Sequence, residues 1–272
     1  YVGVVEEVGS KVNNFQPGDR VAGAFVASCG ECFYCKDQWP SLCLKQRTFG
    51  YGQLGGAQAE FIRVPFGDST LEKLPDSVTN NQAVFIGDCL SAGYFCAESA
   101  AIDDKSSVVV VGCGSVGIFC VMSALEQGAK KVIAVDVHPE RLALAAKVGA
   151  IPAKLDENPG AIIRDYTEGR GADCVLEAAG SEVSLKSCFN YVRPGGVISV
   201  AGAYAEPEFP FPMFQVSTSL LVLCYSIFLN ILELHQLKVM TLNYTLIFSF
   251  QYLKYLEYFF DFISFEHSSI SL

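Results

Sequence analysis

The sequence predicts an α/β chain whose best-defined part is a doubly wound parallel sheet, on three observations. The run Ser107-Val-Val-Val-Val111 is apolar and β-branched on both faces, the pattern of a strand buried between two layers. It leads directly into Gly112-x-Gly114-x-x-Gly117 and then into an apolar helical stretch from Ile118 to Leu125. Strand-like and helix-like stretches continue to alternate as far as Ala201, which implies right-handed crossovers and a ligand at the carboxyl ends of the strands.

Upstream of that sheet, four cysteines fall as Cys29-x2-Cys32-x2-Cys35-x7-Cys43. Gaps of two residues suit chelation. Four thiolates close a tetrahedron around Zn²⁺ with no position left for water, so the expectation is a structural zinc that staples a loop. The alternative, pairing as disulfides, belongs to oxidising compartments. Tyr1-Val-Gly-Val-Val-Glu-Glu-Val8 has neither a basic n-region nor a long apolar h-region, so reduced cysteines and a cytoplasmic location are expected. The chain opens without Met, and residue 1 is expected not to be the biological start.

In the glycine turn, Gly112 permits the tight bend, Gly114 lets the backbone approach a pyrophosphate, and Gly117 lets the helix pack on the strand. Val116 borders the same ligand. A second strand, Lys131-Val-Ile-Ala-Val-Asp136, ends in an acid about 20 residues past the glycines, where it accepts hydrogen bonds from both ribose hydroxyls and repels a 2′-phosphate. The cofactor expected is therefore NAD. A helix from Pro139 to Val148, a strand from Ala172 to Leu176, a helix from Val183 to Tyr191, the turn Arg193-Pro-Gly-Gly196 and a strand from Gly196 to Ala201 complete the alternation. Cys96, Cys113, Cys120, Cys174 and Cys188 sit in apolar settings and read as small buried hydrophobes. Arg63 reads as a surface strand residue.

Composition breaks near Phe214. All 24 Gly and all 11 Pro precede that point, whereas Gln215 to Leu272 contain no Gly, Ala, Pro or Arg. We read the tail as AT-rich non-coding sequence translated in frame; the rival reading is a membrane anchor over the uncharged stretch from Gln215 to Leu232, diluted by polar residues and without a basic flank. The expected organisation is thus 1–95, 96–214 and an anomalous 215–272. A net charge of −10 with no Lys/Arg cluster excludes nucleic acid as the expected partner, and a small molecule is the default.

Together these residues resemble the zinc-dependent medium-chain alcohol dehydrogenases, which join a GroES-like catalytic domain to a Rossmann domain. Carrying the likeness are Val2-Gly-Val-Val-Glu-Glu-Val-Gly9, Pro17-Gly-Asp-Arg-Val21, the cysteine lobe, Gly87-Asp-Cys-Leu-Ser-Ala-Gly-Tyr94, the glycine turn, Asp136 and Pro194-Gly-Gly196. Phe49 to Asp68 together with Asp88 looks most like the branch of glutathione-independent formaldehyde dehydrogenases. The resemblance implies hydride transfer between an alcohol or aldehyde hydrate and NAD, and a homo-oligomer. It maps one catalytic zinc ligand onto Asp88, with Cys89 as a substitute, places Arg141 over the adenosine ribose and phosphate, and sets Ala201 and Ala203 at the nicotinamide carboxamide. Ala92 stands where the family often has Thr. The family's Gly-His-Glu segment would precede Tyr1 and its catalytic Cys would lie further upstream still, and the histidines here are His138, His235 and His267, so the resemblance implies a catalytic zinc site that lacks two of its three ligands. A zinc-free quinone reductase of the same superfamily does not explain the four-cysteine lobe.

Overall fold

The structure, a computed structural model, describes residues 1–204, 212, 216, 219 and 221–225. They fall into two compact units, one running from Tyr1 to Ser91 and the other beginning at Ala92. The part of the tail past residue 225, with His235, His267 and the end of the uncharged stretch, lies outside the described residues. Among the described residues no helix is long and apolar enough to cross a membrane.

The first unit is built from short pieces: strands β1 (Val2–Val4), β2 (Arg20–Gly23) and β3 (Val26–Ala27), helix α1 (Phe33–Lys36), β4 (Arg47–Thr48), α2 (Gly67–Thr70), β5 (Leu71–Lys73) and α3 (Asn80–Ala83). β1, β2 and β5 form an antiparallel sheet in which Val2 faces Ala22 and Ala22 faces Glu72. β3 and β4 pair over two residues only, Val26 with Thr48 and Ala27 with Arg47. Its core gathers Ala22, Ala24, Val26, Leu74, Val78, Ala83 and Ile86. Arg63 is exposed and belongs to no strand, contrary to the sequence reading, because the chain from Phe61 to Val64 pairs with no neighbouring strand. The unit boundary falls inside α4 (Cys89–Ser99).

The second unit holds β6 (Ser107–Val111), α5 (Ser115–Glu126), β7 (Lys131–Asp136), α6 (Pro139–Val148), β8 (Ile151–Lys154), α7 (Pro159–Tyr166), β9 (Ala172–Glu177), α8 (Glu182–Tyr191), β10 (Val192–Val200) and β11 (Val222–Tyr225). The six strands are all parallel in the order β11-β10-β9-β6-β7-β8, which makes the doubly wound parallel sheet expected. Strand order reverses between β6 and β9, which share the register Val109 with Val175. The crevice at their carboxyl ends is where such sheets take ligands. Helices on both faces bury the strands, and Val108 to Val111 are at most 4% exposed. Val109, Ile133, Ile163, Val175, Phe189 and Ile198 lie in one core cluster, each burial contributing about 1.5–3 kcal/mol.

Local chemistry explains the helix ends. Pro139 opens α6 where a missing N–H costs nothing, and Gly149 at φ 113° closes it. Ser181 and Ser184 form a reciprocal capping box at α8. Three features differ from the sequence reading. α5 begins at Ser115, three residues early, because the turn's own backbone starts the helix. β10 absorbs the expected Arg193–Gly196 turn, with a register shift between Val192 and Val197. β8, α7 and β11 are additional, and β11 places tail residues as the edge strand beside β10, Val197 facing Val222.

Candidate cofactor and metal sites

The cysteine lobe spans the loop between β3 and β4. Sulfur–sulfur distances are 3.5 Å for Cys32–Cys35 and for Cys29–Cys43, 3.9 Å for Cys32–Cys43 and 4.0 Å for Cys29–Cys35. Four thiolates at Zn–S of about 2.3 Å in a tetrahedron stand about 3.8 Å apart, so the residues fit the metal. The backbone also points donors at the sulfurs: the amides of Cys29 and Lys45 each lie 3.3 Å from the Cys43 sulfur. Amide donors from Cys35 and Leu44 pull the half-buried Cys32 thiol down to about 6, while burial pushes Cys35 up to about 12. Among the described residues, this is the group of cysteines, histidines and acids arranged to hold an ion. Glu31 and Lys45 form an exposed ion pair at its rim.

Asp88, the expected catalytic ligand, immediately precedes α4 in the first unit, its carbonyl accepting from the Ser91 hydroxyl at 2.8 Å. Burial raises its carboxyl, and the amino group of Tyr1 opposes that shift. Cys89 is the first residue of α4 and Ala92 is buried further along it. No histidine occurs in residues 1–91.

At the switch point of the sheet, the glycine turn has the shape its spacing implies. Gly112 has φ 89° and a Cβ there would stand 2.7 Å from that of Ala179; a Cβ at Gly117 would overlap the Gly112 carbonyl oxygen. At Gly114 a Cβ would enter open space, which leaves the backbone reachable by an anion. No side chain caps the start of α5, so its first N–H groups face that space. Val116 is half-buried beside them.

Asp136 is only 6% exposed. Its carboxylate accepts from the Cys113 amide at 2.6 Å and from the His138 amide at 2.8 Å, which fixes it against the glycine turn. Each oxygen keeps a further lone pair for a hydroxyl. Burial pushes the Cys113 thiol far up, the Asp136 charge adds to that, and Arg141 opposes it. Arg141, on the first turn of α6, thus lies near Cys113 of the glycine turn. His138 is exposed at the start of α6. Cys96, Cys113, Cys120, Cys174 and Cys188 are all buried.

On the other side of the crevice, Ala201 donates its amide to the Glu177 carbonyl at 2.8 Å, and Ala203 is exposed just beyond. Glu177, which the sequence reading passed over, is fully buried at the end of β9. An acid closing the apolar run Cys174-Val-Leu176 is the pattern that marks it.

Comparison with known proteins places the chain in a family. Residues 1–76 match the alcohol dehydrogenase GroES-like domain and residues 115–239 match the zinc-binding dehydrogenase family, the second match running past the composition break at 214. The medium chain reductase/dehydrogenase ucsI of an Acremonium species is 42% identical over 213 residues, 75% of this chain and 73% of that protein. The chain belongs to the zinc-type medium-chain alcohol dehydrogenases. Zinc-type alcohol dehydrogenase B of Aspergillus flavus is 41% identical over 211 residues, 74% of this chain but 49% of that protein, so the chain spans about half the length of this relative. Alcohol dehydrogenase TADH from Thermus sp. ATN1 superposes with a TM-score of 0.81 at 39% identity, covering 89% of this chain and 70% of that one. The zinc-dependent dehydrogenase family thus supplies the context for the four-cysteine cluster and the doubly wound sheet.

Proposed function

We propose that the protein carrying this chain is an NAD-dependent alcohol or aldehyde dehydrogenase, with a small alcohol or hydrated aldehyde as substrate. The observation that carries this reading is the crevice at the β6/β9 switch point, where an uncapped helix start, an open Gly114 and a fixed Asp136 converge. Gly112, Gly114, Val116 and Gly117 would hold the pyrophosphate against free amides, Asp136 and Arg141 the adenosine ribose, and the Ala201 to Ala203 backbone the carboxamide. NAD held there would supply the hydride-accepting chemistry. The negative Asp136 disfavours the extra phosphate of NADP. Cys29, Cys32, Cys35 and Cys43 would hold a structural zinc, which supplies loop geometry and no reactive position. Asp88 would contribute one oxygen ligand to a catalytic zinc, whose chemistry is polarisation of the substrate oxygen.

A second reading is favoured by one observation. A catalytic zinc of this kind takes three protein ligands, and residues 1–91 offer Asp88, with Cys89 in reserve, but no histidine. On that reading the chain by itself binds structural zinc and NAD without turnover. Purified chain incubated with NAD and short alcohols or hydrated formaldehyde separates the two. We expect no substrate-dependent NADH, and a zinc-dependent rate once the family's upstream segments carrying the catalytic Cys and Gly-His-Glu are joined to Tyr1 and the family's C-terminal segment replaces the tail. A chelator-sensitive rate from the chain alone that vanishes in Asp88→Ala overturns the second reading; absence of any rate in the extended protein overturns the first.

A further inference from the structure

The carboxyl end of β9 holds a group that neither metal nor adenosine chemistry uses. Glu177 is 0% exposed, and a carboxylate so deeply placed is retained only where its oxygens are satisfied. One oxygen accepts from the Ala179 and Gly180 amides, each at 2.9 Å. The other accepts from the Tyr204 hydroxyl at 2.7 Å. The Glu177 carbonyl takes the amides of Ala201 at 2.8 Å and Gly202 at 3.1 Å. One residue therefore ties the turn after β9 to the chain leaving β10.

Close packing leaves this junction little freedom. A Cβ at Gly202 would overlap a Glu177 carboxylate oxygen, and one at Gly180, φ 69°, would overlap the Ala203 carbonyl. Ala179 itself lies against Gly112. The Glu177 carbonyl holds the amides of Ala201 and Gly202 just past the end of β10 at Val200, while the Glu177 carboxyl, packed against Gly202, ties the following chain at the Tyr204 hydroxyl.

We infer that Glu177, through Tyr204, is a positioning residue for the nicotinamide half of the cofactor: it sets the Ala201–Ala203 backbone at the distance the carboxamide requires. The inference rests on the dinucleotide reading of the crevice proposed above. Its consequence is selective. Loosening the Glu177–Tyr204 link shifts the carboxamide side and leaves the adenosine side, held by the glycine turn and Asp136, in place.

AMP and NADH distinguish the two halves, since AMP carries only the adenosine end. Affinities of both are measured by calorimetry and NADH fluorescence for the wild type, Tyr204→Phe and Glu177→Ala, with melting temperatures alongside. In Tyr204→Phe, NADH binding should weaken about tenfold, the size of one lost hydrogen bond of about 1.4 kcal/mol, with AMP binding unchanged. Glu177→Ala should lose more NADH affinity with AMP again retained; should that variant not fold, Tyr204→Phe, which removes one hydroxyl, decides the matter. Equal losses for AMP and NADH in Tyr204→Phe, or no loss for either, overturn the role of Glu177 while leaving the dinucleotide site standing. A wild type that binds neither ligand overturns the dinucleotide reading, and the inference falls with it.

Discussion

The glycine turn is slung between β6 and α5, on a six-stranded sheet covered on both faces, whereas the cysteine lobe is slung between β3 and β4, a ladder of two residue pairs. In the second unit Val109, Ile133, Val175, Phe189 and Ile198 exclude water on their own. In the first, Phe33 (69%) and Leu44 (72%) stay exposed within the lobe, and Tyr51 (80%) and Phe61 (74%) stay exposed elsewhere in the unit. Closing a loop of some fifteen residues costs conformational entropy that two ladder pairs cannot offset. One functional loop is therefore held by its core, and the other depends on four sulfur atoms. The comparison teaches that ligands substitute for burial where the chain has too few apolar residues to close over itself.

The largest expected effect tests that dependence directly. Replacing Cys32 and Cys35 by Ser should take zinc content from near one per chain to none, since structural zinc binds with an apparent free energy of about 10–16 kcal/mol and half the thiolates would be gone. Limited proteolysis should then cut between residues 29 and 45 while the second unit stays resistant. Near-stoichiometric zinc in the double variant, measured by elemental analysis, would remove the lobe from the comparison.

The glycine turn gives a paired test in the other unit. Gly117→Ala forces a Cβ into the Gly112 carbonyl and should cost about 1–3 kcal/mol or more in urea unfolding, along with NADH binding. Gly114→Ala, whose Cβ meets open space, should change stability by less than about 0.5 kcal/mol yet weaken NADH. If both variants lose stability alike, the space at Gly114 is not a ligand cradle.

A third test concerns how the sheet's base is tied. Burial pushes the Asp173 carboxyl up, but hydrogen bonds from Arg193 at 2.6 Å and the Ser107 amide at 2.8 Å outweigh it and leave it below the usual range. A carboxyl lowered on folding adds stability above its unfolded pKa of about 3.9, and that stability is lost as pH falls through the folded value. Asp173→Asn should cost about 1.5–3 kcal/mol at neutral pH and flatten the acid limb of the stability curve. An unchanged acid limb would show that another carboxylate sets it.

Legibility in the sequence followed the same divide. β6, β7 and β9 were readable because burial on both faces gives each a continuous apolar stretch, Val108–Val111, Val132–Val135 and Cys174–Leu176, and the glycine turn because each glycine answers a distinct steric demand. β8 was not, since Ile151-Pro-Ala-Lys154 is an edge strand carrying a proline and a charge, and edge strands need no apolar run. β11 was hidden by the composition change that precedes it. The cysteine ligand set was legible from spacing alone, because chelation fixes residue type. Glu177 was not, because its partners are backbone amides and Tyr204, and the meeting of β9 with the exit of β10 is a property of the sheet order. That order is not written in any local stretch.

The smallest expected effect sharpens the comparison most, because the same motif occurs in both units. Thr79 caps α3, its hydroxyl accepting from the Gln82 amide at 3.3 Å while the Gln82 side chain accepts from the Thr79 amide at 2.9 Å. Ser181 caps α8 in the same reciprocal way with Ser184, both distances being 3.1 Å. Removing either hydroxyl should cost its helix about 1 kcal/mol. The helices differ in what they carry. α8 runs ten residues and buries Leu185, Cys188 and Phe189, whereas α3 runs four and buries Ala83. Ser181→Ala should therefore lower the global stability of the second unit by the full amount, visible as an earlier urea midpoint. Thr79→Ala should appear as faster local amide exchange in α3 with the urea midpoint nearly unmoved. Equal midpoint shifts in the two variants would mean that the first unit unfolds as cooperatively as the second, and that its loops are held by more than four sulfurs.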